Sequence, residues 1–229
     1  MAVFAIADLH LSHVDEKSMD IFGPHWKDHW KKIQKAWVSD VNEDDLVLIP
    51  GDISWAMHMS EALPDLEAIG QMPGEKLLLR GNHDYWWSSL TQIRNVLPEN
   101  MHVLQNDCFV YRGQAICGTR GWVQGNAAQG EKDAKLLRRE VGRLKLSLQC
   151  AAKQKLPIAL VMFHFPPFDE KQTPNEMTGL LHEYQVKQVV YGHLHGKSLQ
   201  SAFEGTLDDI EYHLVSCDSL NFMPKKILP

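Results

Sequence analysis

Seven side chains able to bind a metal fall at one kind of place in this sequence. Asp8 and His10, Asp52, Asn82, His164, and His193 and His195 each follow closely on an apolar run. The runs cover residues 3–7, 46–49, 77–79, 158–163 and 188–191. Carboxylate, amide and imidazole groups without a thiolate suit divalent first-row metals, manganese first, with iron, zinc, cobalt or nickel as alternatives. Taken singly, each signal is weak: a histidine after a strand is commonly a hydrogen-bonded core residue, and Gly-Asp is common at turns. Five occurrences at the same topological place are hard to assign to packing. One ion would be overfilled by seven groups, whereas two ions sharing one carboxylate would use them all. Metal pairs about 3.5–4 Å apart are a known device for in-line phosphoryl displacement.

Elements of an α/β fold must carry these groups. Buried strands of open α/β sheets deliver functional groups at their carboxyl ends. The run at 77–79 ends in Arg80-Gly81-Asn82-His83-Asp84, where a glycine break is followed by three side chains able to ligate a metal, donate a proton or orient one that does. Trp26, Trp30, Ile33 and Trp37 recur at helical spacing and predict a helix over 24–39 with an aromatic inner face, leaving His25 and His29 to solvent or a cap. Further helices are expected from Ser60 to Ile69, over 86–97 before Pro98, and over 131–153. Three successive strand–helix units indicate a parallel layered α/β arrangement. Residues 108–111 and 114–117, joined by Arg112-Gly113, read as a hairpin. Residues 198–203 and 210–215 read as a closing antiparallel pair, and 223–229 as a tail.

Composition restricts the function classes. With 229 residues and no linker, repeat or low-complexity segment, one domain over 1–229 is the simplest organisation. A net charge of −6 gives no general reason to bind nucleic acid. The helix over 131–153 carries a basic face, which reads as a solvated surface before it reads as a nucleic-acid or partner footprint. No apolar run is long enough to span a membrane and no secretory signal is evident, so no membrane partner is expected. The four cysteines form no Cys-x-x-Cys pair and read as small buried hydrophobes in a reducing compartment, which makes the cytoplasm the expected location.

In order, the blocks Asp8-Leu9-His10, Gly51-Asp52, Gly81-Asn82-His83-Asp84, His164 and Gly192-His193-Leu194-His195 resemble the signature of the calcineurin-like metallophosphoesterase superfamily. Trp55, Trp86-Trp87 and Pro166-Pro167 resemble a small branch of predicted phosphohydrolases within it. The resemblance implies a four-layer αββα sandwich: two mixed β-sheets flanked by helices, with the site at the sheets' shared end. It implies that Asp8, His10, Asp52 and His195 hold one divalent ion. Asp52, Asn82, His164 and His193 would hold the second, with Asp52 as the bridge. The implied reaction is hydrolysis of a small phosphodiester or phosphomonoester by in-line attack of a hydroxide held between the ions. His83, left without a metal, would stabilise the transition state or protonate the leaving oxygen. Asp84 would orient His83 or serve the local turn.

Arg80 and Arg120 are candidate clamps for a phosphate oxygen, Arg80 with a structural ion pair as an equal alternative. His13, His58 and Asp218 are candidates to orient ligands, and His102, His182 and His213 read as ordinary strand or surface histidines. Trp55, Trp86, Trp87 and Trp122 are expected to pack, or else to line a pocket for the leaving group. The rival readings are a nuclease, disfavoured by net acidity, and a non-catalytic scaffold of the same fold, disfavoured because every ligand and His83 are present.

Overall fold

Eight parallel strands carry the architecture, four in each of two facing sheets. The structure, a computed structural model, describes residues 1–14, 17, 19–125, 128 and 130–229. In the first sheet β1 (Val3–Ala5), β2 (Leu46–Pro50), β3 (Glu75–Leu79) and β4 (Met101–Val103) run parallel in that order. In the second, β6 (Gln114–Thr119), β7 (Ile158–Phe163), β8 (Gln188–Tyr191) and β10 (Ile210–Leu214) do the same. Antiparallel strands close the edges: β5 (Phe109–Tyr111) on β6, β9 (Gly205–Leu207) on β10, and β11 (Lys225–Leu228) on β1.

Three apolar clusters make the layers. Val3, Ala5, Leu46, Leu48, Leu77 and Leu79 face Ile116, Leu160, Met162 and Val190 between the sheets. Alternation explains this: their neighbours Phe4, Val47, Ile49 and Leu78 point the other way. There they meet the helices α1 (His29–Asp40), α2 (Met59–Gly70) and α3 (Leu90–Arg94). Outside the second sheet, Val161, Phe163, Val189 and Tyr191 pack on α4 (Gly130–Lys153) and α5 (Glu176–Glu183). Helix, sheet, sheet, helix is the layer order expected. No helix among the described residues is long and apolar enough to cross a membrane.

Several elements depart from expectation. The Trp26 stripe is split, because Pro24–Trp26 forms a separate 3-10 turn and α1 starts only at His29; Trp26, Ile33 and Trp37 are all buried. His29 is not turned to solvent: its Nε2 lies 2.9 Å from the Leu9 carbonyl. The helix expected over 86–97 shrinks to α3, since Trp86 and Trp87 enter the core as part of the loop. Residues 196–201 form a 3-10 helix, and the partner of β10 is β9. The tail is an edge strand, and β4 and α5 were not anticipated. Several misses, β4 and the tail strand among them, are short segments whose partners are distant in sequence, where tertiary pairing overrides local pattern. Of the expected loop at 120–129, residues 126, 127 and 129 lie outside the described residues.

Candidate metal centre

Because β1, β2, β3, β7 and β8 are parallel within their sheets, their carboxyl ends gather the five blocks along one seam. An Ala7–Ser216 bridge ties the two sheets there, immediately before Asp8. The backbone at this edge is unusual. Asp8, His10, Asp52 and His193 all have positive φ, at 62°, 46°, 51° and 72°. Non-glycine residues adopt this region at a cost, and such conformations concentrate at functional sites. Gly81 must be glycine, since a Cβ there would overlap the Asp52 carboxylate and backbone nitrogen.

Two groups of side chains converge closely enough to hold a metal ion. One is Asp8, His10 and His195; the other is Asp52, His164 and His193; ligand atoms within each lie within 4.8 Å of one another. Asp52 Oδ2 is 3.8 Å from His10 Nε2 and 3.5 Å from His164 Nε2, so one carboxylate reaches both groups. Asn82 joins the second group, its Oδ1 lying 2.7 Å from His164 Nε2. His164 Nδ1 lies 3.0 Å from the Pro50 carbonyl, to which it can donate. Its Nε2 is then a lone pair facing the oxygens of Asn82 and Asp52. His10 Nδ1 and His195 Nε2 are buried without a hydrogen-bond partner among the described residues. Acceptors pointed at acceptors, with orphaned buried imidazole nitrogens, are the surroundings a cation satisfies. The residues present therefore fit two divalent ions.

Electrostatics point the same way. Burial pushes the His164 imidazole down to about 3 and the His193 imidazole down to about 4, so both are neutral ligands at neutral pH. Burial, then Asp8 and Asp84, push the Asp52 carboxyl well above its ordinary range. Asp8 is shifted the other way: burial opposes its charge, but His195 beside it holds the carboxyl below the usual range. His195 also meets Asp218, with Nδ1 2.8 Å from Oδ1. That contact orients His195, the role considered for Asp218. His58 instead stands at the N-cap of α2, its backbone N–H donating to the Glu61 carboxylate at 3.1 Å. His13 meets Asp65 at 2.5 Å, and Asp65 in turn accepts from the Ser54 hydroxyl, a buried link that sequence pattern did not signal.

His83 sits at the rim. Its backbone N–H donates to Asp52 Oδ1 at 2.8 Å, and its ring lies 5.8 Å from that of His10. Trp55 stacks on His10 at 4.7 Å and contacts His83 at 4.6 Å. Partial burial lowers the His83 pKa, with Asp8 opposing and His195 reinforcing. Of the two roles considered for Asp84, its contacts fill the turn role. The buried carboxylate accepts from the backbone of Ile53, Ser54 and Gly81 and from Trp86 Nε1. It thus locks the Asp52 loop to the Asn82 loop. Replacing it strands three buried backbone N–H groups and the Trp86 indole N–H, at about 1–3 kcal/mol each. Asp84→Ala is therefore expected to lower unfolding free energy by at least about 3 kcal/mol in urea titration.

Arg80 and Arg120 gather with each other in a separate small cleft, with Glu140 and Arg143 of α4. Glu140, fully buried within a basic helix, was not singled out from the sequence. Trp122 covers the Arg120 guanidinium at 4.5 Å, while Trp86 and Trp87 are core residues. Beside His193 opens a cavity of about 230 Å³ lined by Phe165, Phe168, Tyr191 and Leu194.

Known proteins resemble this chain in sequence and in fold. Residues 1–197 match the family model for calcineurin-like phosphoesterases. The chain is 36% identical over 78 residues to the Gene 66 protein of Mycobacterium phage L5, covering 34% of this chain and 37% of that protein. It is 35% identical over 86 residues to the Gene 66 protein of Mycobacterium phage D29, covering 36% and 40%. The matched stretch thus spans about two-fifths of these curated relatives. Among solved structures, TT1561 of Thermus thermophilus superposes with a TM-score of 0.61 at 12% identity, covering 99% of this chain and 97% of that one. Phosphopantetheinyl hydrolase (PptH) from Mycobacterium tuberculosis superposes with a TM-score of 0.57 at 14% identity, covering 100% and 96%. At such identities the two structures speak for the fold alone. With the family model spanning most of the chain and two ligand groups at the strand ends where the motifs fall, the chain belongs to the calcineurin-like phosphoesterase family.

Proposed function

We propose that this protein is a dinuclear metal-dependent phosphoesterase, with manganese its first candidate metal, acting on a small phosphodiester or phosphomonoester. The observation that carries this reading is the position of Asp52, whose one carboxylate reaches both ligand groups. Two bound divalent ions would neutralise the phosphate and activate a water for in-line attack on phosphorus. Asp8, His10, Asp52 and His195 would hold one ion, and Asp52, Asn82, His164 and His193 the other. The positive-φ backbone of Asp8, His10, Asp52 and His193, with the buried hydrogen bonds around them, fixes those ligand directions in advance.

His83, next to the ions but in neither ligand group, is placed to hydrogen-bond a phosphoryl oxygen or to protonate the leaving oxygen. Trp55 limits its rotation by packing against it. Asp84 acts through the loops it joins. The aromatic cavity beside His193 is suited to an organic group on the substrate, while Arg80 and Arg120 line a cleft of only about 10 Å³, too small to admit an anionic part of it.

The test is an activity panel on manganese-loaded protein. It compares bis(p-nitrophenyl) phosphate, p-nitrophenyl phosphate, cyclic nucleotides and single-stranded DNA. Turnover of a small ester that chelation abolishes is expected. A fully metallated preparation that leaves every ester intact contradicts the reading, and turnover of DNA alone would favour a nuclease.

Metal binding should also displace a proton. In the metal-free protein burial disfavours the His195 imidazolium, yet Asp8 and Asp218 hold it and push its pKa up to about 10. A ligand must shed that proton. Titration with Mn²⁺ at pH 8 is expected to release at least one proton, because the raised Asp52 carboxyl must also give up any proton it holds, and affinity should rise with pH. Calorimetry in buffers of different ionisation heat reads the count, which His195→Gln should lower by about one; an unchanged count means that His195 gives up no proton on metal binding.

A further inference from the structure

We propose that the cavity lined by Phe165, Phe168, Tyr191 and Leu194 is the subsite for the organic group of the phosphate ester, and that it selects an uncharged aromatic or apolar group about one ring in size. The inference rests on the phosphoesterase reading and names a substrate class for it: esters of phosphate with a neutral apolar alcohol or phenol, as against molecules bearing a second anionic group.

Topology places the cavity at the metal centre. β7 ends at Phe163, and His164 and Phe165 follow; β8 ends at Tyr191, and His193 and Leu194 follow. The two strand ends that deliver ligands of the second group thus also deliver the cavity walls. His193 itself lines the cavity, and its ring centre lies 4.0 Å from that of Phe165. An ester held through its phosphoryl oxygens at the ions has this opening beside it.

The walls are apolar and fixed in advance. Phe165, Phe168 and Tyr191 are buried. Trp122 packs on Phe165 with ring centres 5.1 Å apart, and Tyr212 on Phe168 at 5.0 Å. Rings already held by a second layer lose little freedom when a ligand arrives. The hydroxyls nearby are engaged with the backbone. Tyr191 donates to the Phe203 carbonyl at 2.7 Å and accepts the Phe203 N–H at 3.0 Å. Ser198 donates to the His195 carbonyl at 2.7 Å, and Ser201 to the Ser198 carbonyl at 2.8 Å. The walls therefore offer a ligand mainly aromatic and aliphatic surface.

Size and charge narrow the occupant. An apolar cavity of about 150 Å³ admits benzene, so about 230 Å³ holds one substituted ring or a short branched chain. Asp169 and Glu170 also line the cavity, and among the described residues no lysine or arginine joins them. Backbone N–H groups of Thr173 and Lys171, at 2.8 and 3.0 Å, hold the Asp169 carboxyl below its usual range, so it stays ionised at neutral pH. A second anionic group on the ligand would leave water for an apolar wall and meet two carboxylates, and both are unfavourable.

The experiment uses manganese-loaded full-length protein. Calorimetry measures binding of methylphosphonate, phenylphosphonate and 4-phosphonobenzoate to the parent and to two cavity-filling variants, Val123→Trp and Ser201→Trp, each checked for unchanged thermal unfolding. Turnover of p-nitrophenyl phosphate and of its diester is measured separately. In the parent, phenylphosphonate should bind at least about tenfold more tightly than methylphosphonate, the lower end of what one matched apolar group is worth in a pocket. The added carboxylate of 4-phosphonobenzoate should cancel that advantage, and both filling variants should lose most of it. A phenyl advantage that is absent in the parent, or that survives both substitutions, overturns the proposal. So does 4-phosphonobenzoate binding as tightly as phenylphosphonate, or a protein that binds none of the three. If the phosphonates follow the expected order and no ester is cleaved, the phosphoesterase reading fails and the subsite stands. If esters are cleaved and no phenyl advantage appears, the subsite fails and the phosphoesterase reading stands.

Discussion

His83→Ala is expected to keep both metal ions and lose about 10²–10⁴-fold in kcat, the usual contribution of a positioned acid–base group. The ring touches Trp55 and approaches His10, but it belongs to neither ligand group. Its link to the centre is through its backbone, which donates to Asp52 whatever the side chain. Removing the imidazole should therefore leave the Asp52 loop in place. Elemental analysis of purified protein gives metal content, and steady-state turnover of an activated ester gives the rate. An ester with a good leaving group should lose less than one with a poor leaving group if His83 donates the proton. Metal loss in step with activity would place His83 in the ligand set. Full activity without it would remove it from the chemistry.

Asp52→Asn is the second large effect, and it should move activity and stability in opposite directions. The amide keeps the shape but removes the charge that both ligand groups share. Metal assistance is worth several kcal/mol to phosphoryl transfer, so activity should fall by at least about 10³-fold. Metal content should fall with it. In the metal-free protein the sign reverses. Burial, then Asp8 and Asp84, raise the Asp52 carboxyl well above 3.8, so the folded state keeps a proton that the unfolded chain has released. Where the folded state binds more protons, stability falls as pH rises. That loss begins near the unfolded value of 3.8 and continues through the raised folded value. The substituted amide cannot ionise. The metal-free variant should therefore be the more stable protein at neutral pH, with the gap closing in acid. Urea titrations of both chelated proteins across that range check it. A parent that outlasts the variant at every pH would mean that Asp52 is not held as an unfavourable buried charge.

The ligand blocks were legible in the sequence because strand–turn grammar is local. An apolar run followed by Gly-Asp or Gly-Asn-His-Asp specifies a buried strand and what stands at its end. Parallel pairing then needs only long crossovers, which the chain supplies as helices. Pairing with remote partners left no local trace. Lys225–Leu228 becomes a strand only because β1 offers it an edge, and residues 196–201 are a 3-10 helix where a strand was expected from Ser198 onward. The sequence named His10, Asp52 and His193 as ligands, but it held no sign that their backbones adopt positive φ. The loops that carry it are tied by backbone N–H groups of Ile53 and His193 donating to the Asp84 and Asp8 carboxylates, across 31 and 185 residues. Arg80 and Arg120 were visible as candidates one at a time. Their meeting over Glu140, and the surplus of positive charge there, required α4 to pack beside β6. Residue types fix what each group can bind; only the packed chain sets which groups share a target, because electrostatic and coordinating interactions fall off within a few ångströms.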